Sequence, residues 1–314
     1  MDRREFLKTA AIAGAAVAVK LNVRAQGAVE NAAAADASAA AKPDAAKPVV
    51  VAVRNGEPAE MFRKGIEELG GMKAFVKPGQ TVVVKPNIGW DKTPEQAANT
   101  NPELVGEIVR QAVAAGAKTV TVFDHTCNEW TRCYKNSGIE EAAREAGAEV
   151  VTGAGGQHYV ERTCEAAVVM KTAKIHKALL AADVVINVPV LKNHGGAKLT
   201  AAMKNWMGVV ENRGYMHQNN LHQCIADSIL YRVPDLNVVD AYRVMFTGGP
   251  QGNANSRIEV KKYQILSRDI VAVDTLALKV IEFQKHEVPH LAMGEKLGLG
   301  SADESTYDIR RIDM

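Results

Sequence analysis

The sequence predicts an α/β protein built on a mostly parallel sheet with helices on both faces. Short β-branched runs alternate along the 314-residue chain with segments of helical spacing, beginning with residues 49–53 and 60–69. The runs are almost continuously apolar, most clearly at residues 183–190, which is typical of strands buried on both faces. We expect a single main domain, and the pattern leaves open a small additional lobe.

The remaining elements follow the same alternation. Further extended segments are predicted at residues 81–84, 118–123, 149–151, 166–170, 236–239 and 258–266. Further helices are predicted at residues 103–115, 139–146, 175–182, 199–210, 221–232 and 270–283. Asn101-Pro102 is a favourable helix start, because Asn caps the first turn and Pro fits within it. Gly116 and Gly147 are typical residues for ending a helix.

Residues 1–25 are predicted to be a twin-arginine export signal. Arg3-Arg4 precedes a Phe-Leu-Lys sequence and a weakly apolar stretch at 9–19, which is shorter than the roughly 20 residues that span a bilayer. Small residues before position 26 favour cleavage after Ala25. We therefore expect the twin-arginine translocase as a partner, a periplasmic or otherwise exported location, and no stable membrane anchor. A cytosolic amphipathic helix or an uncleaved anchor is the alternative.

Residues 26–48 are predicted to be a disordered Ala/Pro linker, because they contain no aromatic residue and little large apolar content. The α/β domain would then span residues 49–314. The chain carries a formal net charge of +2, and its first 25 residues carry +3, which leaves the rest near −1. A near-neutral domain has no global field for nucleic acid or an acidic membrane, so we expect neither as a partner.

The four cysteines are poorly spaced for a metal centre. Cys127, Cys133, Cys164 and Cys224 include no C-x-x-C pair, which argues against an intrinsic iron–sulfur cluster or a zinc ribbon. In an oxidising compartment Cys127 and Cys133 are near enough in sequence to close a small disulfide loop. Four ordinary thiols are the alternative.

Polar residues follow several predicted strands at the edge where open parallel sheets bind ligands. Lys85 and Asn87 follow one strand, Asp124 and His125 follow another, and Asp240 follows a third. A fourth strand is followed by the segment at residues 192–196. We expect these side chains to converge on one cleft.

The segment at residues 192–200 is the most informative. Gly195 and Gly196 let backbone amides approach a ligand closely, and a helix beginning near Lys198 would direct its N–H groups toward an anion. Lys192, Lys198 and the later Lys204 add positive charge. The segment predicts a small anionic ligand, and a glycine turn with solvated lysines is the alternative.

These patterns assign a role to each candidate residue. The predicted catalytic residues are His194, Lys192 and Asp124, with histidine able to transfer protons near neutral pH. The predicted substrate-binding residues are Lys85, Asn87, Gly195, Gly196 and Lys198. The predicted ligands of a divalent metal are His125, His217, His222 and Asp240, and ordinary loop polarity is the alternative.

The chain resembles the bacterial and archaeal family called domain of unknown function 362. The matching pieces include Lys85-Pro86-Asn87, Phe123-Asp124-His125, Leu191-Lys192-Asn193-His194 and Met203-Lys204-Asn205-Trp206. Many members of the family carry a ferredoxin-like cysteine cluster after the domain, whereas no cysteine follows Cys224 here. The resemblance therefore implies no settled activity and no intrinsic iron–sulfur cluster, and the cofactor stays unknown. Lys192 and His194 also suggest a remote similarity to nickel-pincer lactate racemases.

Two functions follow from these residues. The leading hypothesis is an exported, metal- or cofactor-assisted enzyme that acts on a small anionic substrate. The alternative is a non-catalytic module that binds a cofactor or an anion and serves an electron-transfer partner.

Overall fold

The structure, a computed structural model, describes residues 47–314. The predicted export signal and residues 26–46 of the predicted linker lie outside the described residues. Within the part that is described, no helix is both long enough and apolar enough to cross a membrane.

The described residues form strands and helices in close alternation. The strands are β1 (Val49–Arg54), β2 (Thr81–Pro86), β3 (Thr119–Val122), β4 (Glu149–Val150), β5 (Tyr159–Thr163), β6 (Thr172–His176), β7 (Val184–Val188), β8 (Val190–His194), β9 (Lys198–Thr200), β10 (Leu236–Met245), β11 (Ile258–Ser267) and β12 (Asp308–Asp313). The helices are α1 (Pro58–Glu68), α2 (Pro102–Ala114), α3 (Trp130–Asn136), α4 (Ile139–Glu145), α5 (Lys177–Ala181), α6 (Ala202–Asn205), α7 (Arg213–Gln218), α8 (Leu221–Ile229), α9 (Ile270–Ile281) and α10 (Pro289–Lys296).

One large sheet organises these elements. Its strand order is β12-β1-β11-β10-β7-β2-β3-β4, and β8 and β9 attach to it beside β10. Strand β11 runs antiparallel to β1 and β10, while the other neighbours along this order are parallel. The predicted fold class, a mostly parallel sheet in an α/β protein, is confirmed.

Both faces of the sheet are buried under helices. Successive residues of a strand point to opposite faces, so Val50 packs in one core cluster and Val51 packs in the other. Helices α1, α2 and α4 cover the Val51 face, and α5, α6, α8, α9 and α10 cover the Val50 face. Burying one aliphatic side chain of this kind contributes about 1.5–3 kcal/mol, so both helical layers stabilise the sheet.

Local signals place several elements correctly. The side chain of Asn101 accepts a hydrogen bond from the Glu103 N–H at 2.9 Å, and Pro102 is the first residue of α2. Gly116 and Gly147 follow their helices with φ values of 98° and 100°, which only glycine adopts without strain.

Long-range pairing changes other elements. The helix predicted at residues 199–210 begins only at Ala202, because residues 198–200 pair with β8 as strand β9. The helix then tightens into a 3₁₀ segment at Trp206–Val209. The predicted extended segment at residues 166–170 is displaced to β6, which pairs with β5.

The sheet divides at Pro189. Before this residue, β7 pairs with β2 on one side and with β10 on the other. After it, β8 continues beside β10 and β9 and no longer pairs with β2. The chain after β2 is instead bound to β7 through Thr100, whose hydroxyl accepts from the Asn87 N–H at 2.8 Å and donates to the Val188 carbonyl at 2.6 Å. A gap therefore separates the end of β2 from β8.

Candidate active site at the strand ends

A cavity of about 450 Å³ lies in this gap, beyond the carboxyl ends of β2 and β3 and beside β8. We call it the strand-end cavity. Asn87 follows β2, Asp124 and His125 follow β3, and Lys192 and His194 lie on β8. The predicted convergence of residues from separate strand ends is thus present for these five side chains.

Helical segments complete the wall of the strand-end cavity. Helix α6 contributes Lys204 and Asn205, and the following 3₁₀ segment contributes Gly208. Helix α7 contributes Arg213 and His217. The remaining surface is formed by Gly89, Trp90, Cys127, Thr200, Met207 and Pro250. The wall therefore combines several cations and imidazoles with some apolar area.

A buried ion pair forms the base of the site. Lys85 Nζ lies 2.6 Å from Asp124 Oδ1, and both side chains are almost completely buried. Asp124 also accepts from the N–H groups of Ile88 and His125, at 2.7 and 2.9 Å. Burial lowers the pKa of Lys85, and the nearby Asp124 carboxylate opposes this shift. The Asp124 carboxylate is thus paired with Lys85 and accepts two backbone N–H groups, which together hold it in place at the base of the site.

A chain of amides connects this pair to the sheet. Lys85 Nζ donates to Asn205 Oδ1 at 3.0 Å, and Asn205 Nδ2 donates to Asn187 Oδ1 at 2.8 Å. Asn187 Nδ2 in turn donates to Asn237 Oδ1 at 2.9 Å. Because buried polar groups are costly when unpaired, this network fixes α6 relative to β2, β7 and β10.

Three cationic side chains surround the open part of the cavity. Lys192 is buried, and its Nζ donates to the Ala98 carbonyl. Burial, with Lys204 as the next contribution, lowers the pKa of Lys192 to about 7. Burial also lowers the pKa of Lys204, to about 8. Arg213 donates to the carbonyls of His125 and Thr126, at 2.8 and 2.6 Å. Positive charge therefore exceeds negative charge around the cavity.

Two histidines of the cavity wall, His125 and His194, differ in which ring nitrogen carries the proton in the neutral form. His194 Nδ1 accepts from the N–H groups of Gly196 and Ala197, both at 3.0 Å, so a neutral His194 carries its proton on Nε2. His125 Nδ1 lies 3.0 Å from the Val210 carbonyl, which can only accept, so a neutral His125 is unprotonated at Nε2. Burial lowers the pKa of both, that of His194 to about 2. His194 is then a hydrogen-bond donor, and His125 is a proton acceptor.

The predicted metal ligands do not come together. His125 and His217 line the cavity, but His222 instead contacts His290, with 3.0 Å between their Nδ1 atoms. Asp240 is buried within β10, where its carboxylate accepts from the Asn101 N–H at 2.7 Å and from the Tyr242 N–H. Burial raises the pKa of Asp240 to about 6. Among residues 47–314, no group of three or more His, Cys, Asp or Glu side chains is arranged to hold a metal ion.

The predicted glycine-rich anion loop also has a different structure. The N–H groups of Gly196 and Ala197 are bound to His194, and Gly195 lies in the exposed turn between β8 and β9. Lys198 does not line the cavity, because its Nζ pairs with Glu287 at 2.7 Å. The expected N-terminus of a helix at this point is therefore not available to a ligand.

The N-terminus of α6 is occupied by a side chain. Asp274 accepts from the N–H groups of Ala202 and Met203, at 2.6 and 2.9 Å. Asp274 lies within α9, and the residue that caps α9 itself is Asp269. Burial raises the pKa of Asp274 to about 7.

The cysteines of the described chain are all free thiols. Cys127 is exposed at the cavity, and Cys133 is buried. They are not joined to each other. Arg213 Nη1 lies 3.4 Å from the Cys127 sulfur.

Comparison with known proteins agrees with the sequence resemblance. A family model described as Domain of unknown function (DUF362) matches residues 82–279, which is more than half of the chain. The chain belongs to the DUF362 family. All of the residues named above as lining the cavity fall within the matched range.

One curated relative of this DUF362 protein is a thylakoid-associated protein of Synechocystis sp. It is 25% identical over 257 residues, which cover 79% of this chain and 78% of the relative. Two solved structures are also similar. They are the lactate racemase apoprotein from Thermoanaerobacterium thermosaccharolyticum and a protein from Thermotoga maritima.

Both structural similarities are distant. The racemase comparison gives 11% identity and a TM-score of 0.42 over 67% of this chain, and this chain spans 54% of the racemase. The Thermotoga comparison gives 11% identity and a TM-score of 0.44 over 77% of this chain, and this chain spans 60% of that protein. At this distance neither protein assigns a role to any residue of the DUF362 chain.

Some cavity residues of this DUF362 protein had little sequence signal. Lys204 is one of the lysines predicted to add positive charge, whereas Asn205 is indicated only by the Met203-Lys204-Asn205-Trp206 segment that carries part of the family resemblance. For Arg213 the sequence offers only its positive charge. For Gly208 the sequence gives no indication that other residues pack closely around it. Their contribution depends on how α6 and α7 fold over the strand ends, which a local pattern does not encode.

Proposed function

We propose that this protein is an exported enzyme that binds a small organic anion, such as a carboxylate, in the strand-end cavity. The observation that carries the proposal is the charge of the wall. Lys192, Lys204 and Arg213 line the cavity. Among the described lining residues the only carboxylate is Asp124, which Lys85 already neutralises. An anion would supply the missing negative charge.

The size and surface of the cavity favour an organic ligand. A volume of about 450 Å³ falls within the usual range for small-molecule sites. Trp90 and Met207 add apolar surface that a simple inorganic anion would not need. Asn87 and Thr200 supply polar groups that would orient the ligand.

The histidines support an enzyme over a passive binding module. The neutral forms of His125 and His194 differ in which ring nitrogen holds the proton, so one accepts and the other donates a hydrogen bond. Such a pair suits a reaction in which a proton leaves one atom of the substrate while a neighbouring oxygen is held. We assign no step to a metal, because the predicted ligands His222 and Asp240 lie outside the cavity.

Titration calorimetry on the full-length chain tests anion binding. Acetate, lactate, succinate and inorganic phosphate serve as probes. Replacing Lys204 with Met should weaken binding roughly ten- to hundredfold, since one charge-assisted hydrogen bond contributes about 1.5–3 kcal/mol. The matched control is Lys198→Met, because Lys198 pairs with Glu287 outside the cavity. Equal loss of affinity in both variants, or no binding of any probe, would contradict the proposal.

Binding should also depend on pH. Lys192 and Lys204 have pKa values lowered to about 7 and about 8, so they lose their protons as the pH rises through that range. Anion affinity should therefore fall between about pH 6 and pH 9, as the cavity loses positive charge. The same titrations, repeated over this range, measure the effect. An affinity that rises with pH would count against a cationic site.

A further inference from the structure

Lys204 differs from the other lysines at the strand ends in its contacts. Its side chain lines the cavity and is half-buried. Within residues 47–314 its Nζ has no hydrogen-bond or ion-pair partner. By contrast, Lys85 Nζ is paired with Asp124, and Lys192 Nζ donates to Ala98. Lys204 is therefore the cavity lysine whose amine is accessible and unengaged.

The surroundings of Lys204 increase the share of its neutral amine. Burial is the main cause of its lowered pKa of about 8, and the positive charges of Arg213 and Lys85 add to the effect. Relative to an ordinary lysine pKa near 10.4, such a shift increases the neutral fraction at neutral pH about a hundredfold. A neutral lysine beside other cations in a desolvated pocket is the arrangement that makes lysine a nucleophile toward carbonyl groups.

We propose that Lys204 forms a covalent imine with the carbonyl group of a small oxo acid held in the strand-end cavity. The inference rests on the proposed function and names its substrate class. Arg213 and Lys192 would face the carboxylate of such a ligand, since both line the same cavity as Lys204. An oxo acid thus matches both features of the wall, its surplus of positive charge and its free amine.

The chemical step balances without any redox partner. The lone pair of neutral Lys204 Nζ attacks the carbonyl carbon, a carbon–nitrogen bond forms, and the carbonyl π electrons move to oxygen. That oxygen takes up protons from the amine and from solvent and leaves as water, which breaks the carbon–oxygen bond. The product is a protonated imine, whose positive charge withdraws electrons from the neighbouring carbon atoms.

Reductive trapping tests the inference on the wild-type, full-length chain. The protein is incubated with pyruvate, 2-oxobutyrate or 2-oxoglutarate in the presence of borohydride, then digested and mapped by mass spectrometry. We expect the peptide containing Lys204 to gain the mass of the oxo acid less one oxygen atom. Labelling at Lys204 should exceed labelling at the exposed Lys279 at least about tenfold, given the larger neutral fraction of its amine.

A charge-preserving variant provides the control. Lys204→Arg keeps the positive charge but has no amine that can form an imine, so this variant should show no adduct in the corresponding peptide. Lys198→Arg, altered outside the cavity, should be trapped as the wild type is.

The outcomes separate the two proposals. An oxo acid that binds in calorimetry but leaves Lys204 unlabelled, or labels Lys192 instead, overturns the inference while anion binding stands. Binding of lactate or succinate without binding of any oxo acid also overturns it. Failure of every anion to bind removes the proposed function and the inference together.

Discussion

At the scale of single residues, Gly208 shows how closely the chain packs over the buried ion pair. A β-carbon placed on Gly208 would lie 1.9 Å from Asp124 Oδ1 and 2.5 Å from Lys85 Nζ. The Gly208 carbonyl also accepts from the His125 N–H at 3.2 Å. Any side chain here would force Lys85 and Asp124 apart, so the absence of a side chain is what allows the 3₁₀ segment to cover them.

Replacing Gly208 with Ala should therefore destabilise the protein strongly. Separating the partners of a buried ion pair costs about 3–5 kcal/mol, and we expect a loss of free energy of unfolding in that range. Urea denaturation measures it. Gly195→Ala is the matched control, because nothing lies within 4 Å of the place its β-carbon would take and the turn is exposed, so its change should stay within about 0.5 kcal/mol. Similar losses in both variants would contradict the role given to Gly208.

The buried Lys192 should make the stability of the protein depend on pH. Its pKa is about 7 in the folded chain and near 10.4 when unfolded, so the unfolded state holds more protons between these values. Stability contributed through Lys192 should then rise as the pH increases through this window. Urea denaturation at about pH 7 and about pH 9 should show a larger gain for the wild type than for Lys192→Met. An equal gain in both proteins would mean that Lys192 does not carry the effect.

At the scale of elements, helix α6 depends on a residue from a distant helix. Asp274 of α9 accepts two hydrogen bonds from the first N–H groups of α6, which carries Lys204 and Asn205 into the cavity. A helix of four residues has little stability of its own, since helix formation needs a costly first turn. The position of Lys204 is therefore set by the contact between α6 and α9.

Asp274→Ala should weaken both the fold and the site. It leaves two buried N–H groups without an acceptor, at a cost of about 1–3 kcal/mol each, and anion affinity should fall because α6 loses its anchor. Urea denaturation and calorimetry measure the two effects. Asp303→Ala provides the comparison, because Asp303 caps an exposed 3₁₀ turn away from the cavity. Unchanged anion affinity in Asp274→Ala would show that α6 holds its position without this carboxylate.

The same scale shows what a sequence can predict. Asn101 and Pro102 predict the start of helix α2 correctly, because capping is local and uses neighbouring residues. The pattern predicts a loop where β8 lies, because the pairing of β8 with β10 and β9 depends on residues far along the chain. The pattern also predicts that the strand ends before Asp240, whereas β10 continues past this residue to Met245. Here too, the length of the strand depends on pairing with distant parts of the chain.

For the candidate site too, the sequence predicts some features correctly and misplaces others. Asn87, Asp124, His125, Lys192 and His194 are indicated by their position after apolar runs, and the structure brings them to one cavity. The predicted anion loop is displaced, because Gly196 donates to His194 and Lys198 pairs with Glu287. The charges and the apolar strands along the chain can be inferred from the sequence, whereas the contacts of each polar group depend on partners that only the folded chain brings together.

At the scale of the whole molecule, the twin arginines predict export. Residues 47–314 belong to one compact unit, and the twin arginines lie outside the described residues. Replacing Arg3 and Arg4 with Lys should abolish most export and leave the protein in the cytoplasm, because the arginine pair is the part of the signal that the translocase reads. Cell fractionation and immunoblotting measure the distribution. Undiminished export of the double variant would argue for another route.

The division of the sheet at Pro189 has a consequence for how this architecture can change. The opening lies where the main chains of two strands diverge. Its width therefore depends on the spacing of the strands and on hydrogen bonds such as that from the Thr100 hydroxyl to the Val188 carbonyl. An exchange of lining side chains that leaves this strand spacing intact would keep the width of the opening, whereas Gly208 has no room for a side chain. The same backbone can in this way bind different small ligands. The strands keep the size of the opening, and the lining side chains determine which ligand fits it.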